Sequence, residues 1–147
     1  MDAPITENRL LSMSQAQLDA LFTSSSPGPI PNGEAHGTAI IAPGTTYDSN
    51  IAQCINTFAW QGKIFNAERG TLVNRISRFG IEAILADVYV GTSWFDQKPC
   101  IVLDYSKTST FAHWIRDEIR QIAPNTYLGI VYWAKQRLIH FSLEFGQ

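Results

Sequence analysis

The stretch from Leu138 to Phe145, Leu-Ile-His-Phe-Ser-Leu-Glu-Phe, carries the clearest structural signal in the sequence. From Ile139 onward every second residue is apolar, and the residues between them are histidine, serine and glutamate. Successive side chains of a β-strand point to opposite faces of the sheet. The alternation therefore predicts a strand with one apolar face and one polar face.

Working back from this strand, short apolar runs separated by turn residues predict further strands. The runs lie at 37–42, 60–65, 71–76, 81–90, 100–105, 115–122 and 127–133. Their short connections suit antiparallel neighbours, because parallel strands need long crossovers. About eight strands is the number at which a closed barrel fills itself or holds one small ligand. We predict a mainly β fold, an antiparallel barrel of about eight strands, and favour a short helical crossing within 106–114.

Two short helices are expected before most of the strands. Ser14-Gln15-Ala16-Gln17 fits a capping box, and the apolar residues after it predict a helix over 14–23 that covers one end of the sheet. A second helix is expected over 48–58, where Asp48 or Ser49 can act as N-cap. Residues 1–12 are interpreted as a loose lead-in.

The chain is expected to form one domain. Its 147 residues are a usual single-domain size, and the Pro/Gly-rich segment 24–33 is too short to separate two domains. We assign 1–33 to a helical lead-in and linker and 34–147 to the barrel.

Composition excludes several classes of function. Hydrophobic residues make up 45% of the chain, charged residues 16%, and the formal net charge is -2, so a nucleic-acid partner is not expected. The sequence shows neither a secretory signal nor an apolar run of roughly 20 residues, and a cytoplasmic protein with no membrane span is the expectation. The cysteines, Cys54 and Cys100, lack a Cys-x-x-Cys pattern, and the three histidines are far apart. No metal and no cofactor are predicted, since phosphate-binding glycine loops are also missing.

Polar residues in the strands are the candidate catalytic groups. Asp104 shares a strand face with Cys100 and Val102, apolar neighbours that would raise its pKa and suit an acid or base. An arginine-paired or strand-end carboxylate is the plainer alternative. Tyr105 and Tyr127 are the hydroxyl donors that would assist Asp104, although strand tyrosines are more often packing residues.

The candidate ligand-binding residues are aromatic or basic. Arg116 and Arg120 share one face of their strand, either as a solvated face or inside the barrel, where a guanidinium group can hold a carboxylate or phosphate. His140 faces solvent or a polar line within a cavity. The complete predicted set is Trp60, Tyr89, Arg116, Arg120, Tyr132 and His140.

The stretch Phe58-Ala59-Trp60-Gln61-Gly62-Lys63-Ile64-Phe65 resembles a group of uncharacterised bacterial proteins named for a Gly-x-Trp-x-Gly motif, with Phe58 in place of the first glycine. The runs at 117–120, 127–129 and 141–143 resemble the same layout. The wider pattern is similar to lipocalin-like barrels, in which a tryptophan on an early strand closes one end. This resemblance implies a barrel more than an activity.

Three functions follow from these observations. The leading hypothesis is a barrel that binds a small, largely apolar molecule, with Arg116 or Arg120 meeting an anionic or carbonyl group. The alternative is a cofactor-independent isomerase, cyclase or lyase that uses Asp104 for proton transfer in the same cavity. A protein-interaction module is the third, and a homodimer is left open.

Overall fold

The computed structural model describes residues 7–41, 62–75, 82–108 and 112–146. Eight antiparallel strands form a closed barrel in which each strand pairs with its neighbours in sequence, and the last strand pairs with the first. The strands are β1 Gly33–Ile40, β2 Lys63–Asn66, β3 Thr71–Arg75, β4 Glu82–Thr92, β5 Pro99–Asp104, β6 Ile115–Ala123, β7 Thr126–Trp133 and β8 Gln136–Phe145. The predicted fold class is confirmed.

The strand boundaries differ from the predicted ones in detail. β1 begins at Gly33, four residues before the predicted start, because its first residues pair with β2. In the segment 106–114, the described residues form turns and not the expected helical crossing. The Thr108 N–H donates to the Tyr105 carbonyl at 3.4 Å and the Ile115 N–H to the Ala112 carbonyl at 2.9 Å.

Two short helices precede the barrel, α1 Glu7–Leu11 and α2 Gln15–Ser24. The capping box of α2 is confirmed: the Ser14 hydroxyl accepts from the Gln17 N–H at 3.1 Å, and the Ser14 N–H donates to Gln17 Oε1 at 2.9 Å. The expectation of a loose lead-in is wrong for α1, which is ordered because Leu10 is fully buried. Such a short helix depends on packing and leaves little sequence signal. The helix predicted over 48–58 lies outside the described residues.

The two helices pack on the outer face of the barrel and do not close one of its ends. Leu10, Leu18 and Phe22 cluster with the outward side chains of β7. These outward side chains are Leu128, Ile130 and Tyr132. The inward side chains of β7 and β8 belong to the barrel core. β7 is therefore buried on both faces, which explains its almost continuous apolar sequence.

Strand β6 presents Asp117 to the interior and Arg116, Glu118 and Arg120 to the outside. Ile115 and Ile119, which flank Asp117 at alternate positions, belong to the barrel core. Of the two alternatives given for these arginines, the one inside the barrel is wrong: both point outward, where Arg120 is fully buried. Both faces of β6 are largely buried, so the alternation of residue types does not show which face is inward.

Phe141 packs inside the barrel over a glycine opposite it. Gly129 on β7 is its cross-strand partner, and a Cβ on Gly129 would lie 2.2 Å from Phe141 Cζ. A glycine is required here because the ring occupies the space of its missing side chain. The centroid of the Phe141 ring lies 5.9 Å from Lys63 Nζ.

Candidate functional site

Four polar side chains meet inside the barrel, and we call them the internal polar cluster: Lys63, Asn74, Tyr105 and Asp117. Lys63 on β2 and Asn74 on β3 are direct cross-strand partners, and Asp117 projects inward from β6. Lys63 and Tyr105 are fully buried, and Asn74 and Asp117 are each 2% exposed. Four separate parts of the chain therefore contribute polar groups to one water-excluded region.

The cluster is linked by hydrogen bonds around the Tyr105 hydroxyl. Lys63 Nζ donates to Asn74 Oδ1 and, at 3.0 Å, to the Tyr105 hydroxyl oxygen. Asn74 Nδ2 donates to the same oxygen at 2.7 Å. Asp117 Oδ2 lies 3.6 Å from Lys63 Nζ, which makes a buried ion pair.

Asp117 is the least satisfied member of the cluster. Burial raises the pKa of its carboxyl group from 3.8 to about 6, against the opposing charge of Lys63 and hydrogen bonding by Lys63 and Tyr105. Its Oδ1 atom is buried and has no hydrogen-bond partner in the described part of the chain. A buried oxygen without a partner costs free energy, so this atom can accept a hydrogen bond from a bound molecule.

Sequence reasoning found one member of this cluster, Tyr105, and missed the other three. Lys63 lies two residues before Phe65, a core residue on the same face of β2. Residues two positions apart in a strand share a face, so this spacing indicates that Lys63 points inward with Phe65. For Asp117 the signal was its place between Ile115 and Ile119 at alternate positions.

Asp104 lies on the outer face, away from the internal polar cluster. Its carboxylate accepts from the Tyr89 hydroxyl at 2.7 Å, and from the Ser106 N–H and hydroxyl at 2.9 and 2.6 Å. Burial alone would raise the pKa of Asp104, but hydrogen bonds from Ser106 and Tyr89 outweigh it, and the pKa is lowered. The alternative of a raised pKa is therefore wrong, and the position of Asp104 at the end of β5 agrees with the plainer alternative of a strand-end carboxylate. Tyr89 is itself 40% exposed.

Arg120 is buried on the outside of the barrel beneath α2. Its guanidinium group donates to both Asp96 carboxylate oxygens at 2.6 and 2.7 Å, and to the carbonyls of Phe22 at 2.8 Å and Pro99 at 3.0 Å. The hydrogen bonds from Arg120 lower the pKa of Asp96. These contacts join α2, the β4–β5 loop and β6.

The remaining predicted residues are dispersed. Tyr127 points inward, and its hydroxyl donates to the Pro29 carbonyl at 2.7 Å. His140 is on the outer face with Nε2 3.0 Å from Asp19 Oδ1, and burial lowers its pKa to about 4. Trp60 lies outside the described residues. The roles proposed for these side chains in ligand binding stay predictions.

A second concave region lies on the outer surface, and we call it the Trp94 groove. One part has a volume of about 600 Å³, and an adjoining part, sharing Trp94 and Lys135, has about 370 Å³. The lining residues are Thr92, Ser93, Trp94, Gln97, His113, Trp114, Tyr132, Ala134 and Lys135. Of the predicted ligand-binding residues, Tyr132 lines this groove.

Within the described ranges, no group of three or more histidine, cysteine or acidic side chains is arranged to hold a metal ion. In those same ranges, no helix has the length and apolar character needed to cross a bilayer.

Comparison with known proteins supports the fold and leaves the function open. No family model matches the chain, and no curated protein matches it in sequence. A solved structure of a protein from Thermomonospora curvata superposes with a TM-score of 0.64 and 18% identity, covering 92% of this chain and 90% of that one. The chain thus belongs to the class of closed eight-stranded antiparallel barrels, and the Thermomonospora curvata protein is a structural neighbour.

Proposed function

We propose that the barrel binds a small, largely apolar molecule in its interior, with a carbonyl or acidic group directed at the internal polar cluster. The observation that carries the proposal is the convergence of Lys63, Asn74, Tyr105 and Asp117 within an otherwise apolar core. The recognising cation is Lys63, and it replaces the arginines expected from the sequence.

The chemistry of the cluster favours a ligand over a purely structural role. A buried ion pair often contributes no more stability than well-packed apolar residues of similar volume. Small-molecule sites commonly combine an apolar lining with a few convergent polar groups. Asp117 Oδ1 offers an acceptor without a present partner, and a ligand oxygen would take the place of one of the present acceptors of Lys63 or Tyr105.

Access to this site requires movement. The cluster side chains are at most 2% exposed, so a ligand enters only when part of the barrel opens. Association should therefore be slow compared with typical encounter rates, as for other binding events that need a conformational change. The resemblance to lipocalin-like barrels, supported by the closed antiparallel topology, is part of this same proposal, as is a cytoplasmic location.

Thermal unfolding tests the proposal with matched ten-carbon compounds: decanoate, 2-decanone and, without a polar group, n-decane. A ligand at 100 times its Kd adds about 2.7 kcal/mol of stability, which raises Tm by several degrees. We expect a rise with decanoate or 2-decanone and a smaller one with n-decane. The double variant Lys63→Met/Asp117→Leu, an apolar replacement of the pair, should fold and lose the difference.

Tyr105→Phe is the conservative control, since it keeps the ring and removes the hydroxyl group. It should reduce the preference for a polar head group and lower the free energy of unfolding by about 2–5 kcal/mol, because the Lys63 ammonium and the Asn74 amide both lose an acceptor. The proposal fails if no compound raises Tm, or if the double variant responds to the compounds as the native protein does.

A second function, proton transfer without a cofactor, is favoured by the raised pKa of Asp117. A general base works best with a pKa near the working pH. In this mechanism Asp117 removes a proton from the carbon next to a ligand carbonyl, Lys63 and Tyr105 stabilise the enolate oxygen, and Asp117 returns the proton. This keeps the acid–base mechanism of the sequence hypothesis with Asp117 in the place of Asp104.

Deuterium exchange separates the enzyme from the binder. With 2-decanone in D2O, proton NMR should show protein-dependent loss of the signals beside the carbonyl. Asp117→Asn should slow this exchange by about 10²-fold or more and still allow binding. Asp104→Asn is the matched control and should leave the exchange rate unchanged. An equal exchange rate with and without protein would rule out the mechanism.

A further inference from the structure

Trp94 is an exposed tryptophan held in place by a buried ionic network. Trp94 is 42% exposed, and its backbone N–H donates to Glu118 Oε2 at 2.7 Å. Glu118 is fully buried and also accepts from the Ser93 hydroxyl at 2.6 Å. A buried carboxylate thus fixes the loop that presents an indole ring to solvent.

The ring of Trp94 is fixed as well as its backbone. The Arg116 guanidinium group stacks 4.3 Å from the ring centroid, and Tyr132 makes an edge contact at 5.2 Å. Arg116 is itself held by Glu118 at 3.0 Å and by the Thr92 carbonyl at 2.7 Å. A large apolar group that stays exposed and yet is rigidly held is typical of a preorganised binding surface.

A second indole and a free cation complete the groove. Trp114, 56% exposed, lines it together with Trp94 and Lys135. Lys135 lies in the β7–β8 turn, where Ala134 and Lys135 have φ of 48° and 71°, the conformation of a tight hairpin turn. Across the ranges with described structure, Lys135 has no ion pair or hydrogen-bond partner through its ammonium group.

The floor of the groove offers another donor. The Tyr132 hydroxyl group has no hydrogen-bond partner among the residues whose structure is described. Burial raises the pKa of Tyr132 to about 12, so the hydroxyl keeps its proton at neutral pH. Lys135 and Tyr132 both donate hydrogen bonds, which selects for a ligand that carries acceptor oxygens and negative charge.

We propose that the Trp94 groove is a second binding site, separate from the barrel interior, for a small aromatic anion. The ring of the ligand packs against Trp94 and Trp114, and its anionic group contacts Lys135 and the Tyr132 hydroxyl. The groove volume of about 600 Å³ is in the range of small-molecule sites. The site lies on the outer surface and does not depend on the internal polar cluster.

A charged and an uncharged fluorescent probe test this proposal: 8-anilinonaphthalene-1-sulfonate and N-phenyl-1-naphthylamine. They share an aromatic skeleton and differ in the sulfonate group. Lys135→Gln should weaken binding of the sulfonate by about fivefold, the effect of an exposed charge pair worth about 1 kcal/mol, and leave the uncharged probe unaffected. Lys107→Gln, at an exposed lysine in another turn, is the matched control and should change neither.

Trp114→Ala should weaken both probes, since it removes a stacking surface from each. The double variant Lys63→Met/Asp117→Leu should bind both with native affinity, which separates this site from the interior one. The proposal is overturned if Lys135→Gln binds the sulfonate as tightly as Lys107→Gln does. It is also overturned if Trp114→Ala leaves both affinities unchanged, or if sedimentation shows that Trp114→Ala converts a native dimer to a monomer.

Discussion

At the scale of single residues, the buried ionisable groups of this protein have pKa values displaced in opposite directions. Asp117 inside the barrel has a raised pKa of about 6, and His140 beneath α2 has a lowered pKa of about 4. Burial is the main cause for both, because it favours the neutral form of an acid and of a base. Their contributions to stability therefore change with pH in opposite senses.

Asp117→Asn should alter the pH dependence of unfolding between pH 4 and 6. In this interval the unfolded carboxyl has ionised and the folded one keeps its proton, so the native state binds more protons and loses stability as pH rises. The stabilising contribution is fully present below pH 3.8 and is lost by about pH 6, roughly 3 kcal/mol in all. As the pH rises through this range, urea unfolding should show the free energy of unfolding of the native protein falling relative to that of the Asp117→Asn variant. Parallel pH profiles would contradict the raised pKa.

His140→Gln should have the opposite effect. The unfolded imidazole takes up a proton near pH 6.5, but the buried one, close to Asp19 and Arg137, does so only near pH 4. Its stabilising contribution is present above pH 6.5 and is lost as the pH falls through about 4. Urea unfolding should show that the native protein loses stability on acidification faster than the glutamine variant. A histidine NMR titration with a midpoint near 6.5 would contradict this result.

At the scale of elements, period-two patterns predicted the strands but not which face of each strand is inward. On β8 the inward face carries the apolar residues, as expected, and on β6 it carries Asp117 between two isoleucines. The outer faces are covered by α1, α2 and the β4–β5 loop, so both faces of β6 are dry in this part of the fold. No local pattern encodes that cover, because it depends on segments distant in sequence.

The attachment of α2 depends on Arg120. Arg120→Met should lower the free energy of unfolding by about 3–5 kcal/mol, because it leaves the Asp96 carboxylate and the Phe22 carbonyl without their charged donor. Urea unfolding measures the loss. Arg69→Met, at an exposed arginine in the β2–β3 turn, is the matched control and should cost less than about 0.5 kcal/mol. Equal losses in the two variants would show that Arg120 does not anchor the helix.

At the scale of the whole molecule, the barrel is closed by pairing between β1 and β8 over Ala35–Ile40. A strand that pairs on both sides has no free backbone edge, and closed barrels remove sheet edges altogether. The amide groups of β1 that donate to β8 in this range should therefore exchange with deuterium only through an opening as costly as that of β7. Native-state hydrogen exchange measures both. Protection of β1 far below that of β7 would show that the closure opens locally.

Because the barrel is closed, no strand is the first or the last in the ring of neighbouring strands. β8 lies beside β1 just as β7 lies beside β8, so the ring of neighbours is independent of where the polypeptide is cut. Suppose that the chain is cut at the Ala134–Lys135 turn and that β8 is joined to the segment before β1. Every strand would then keep its present two neighbours. Circular permutation is therefore compatible with this architecture at its hairpin turns.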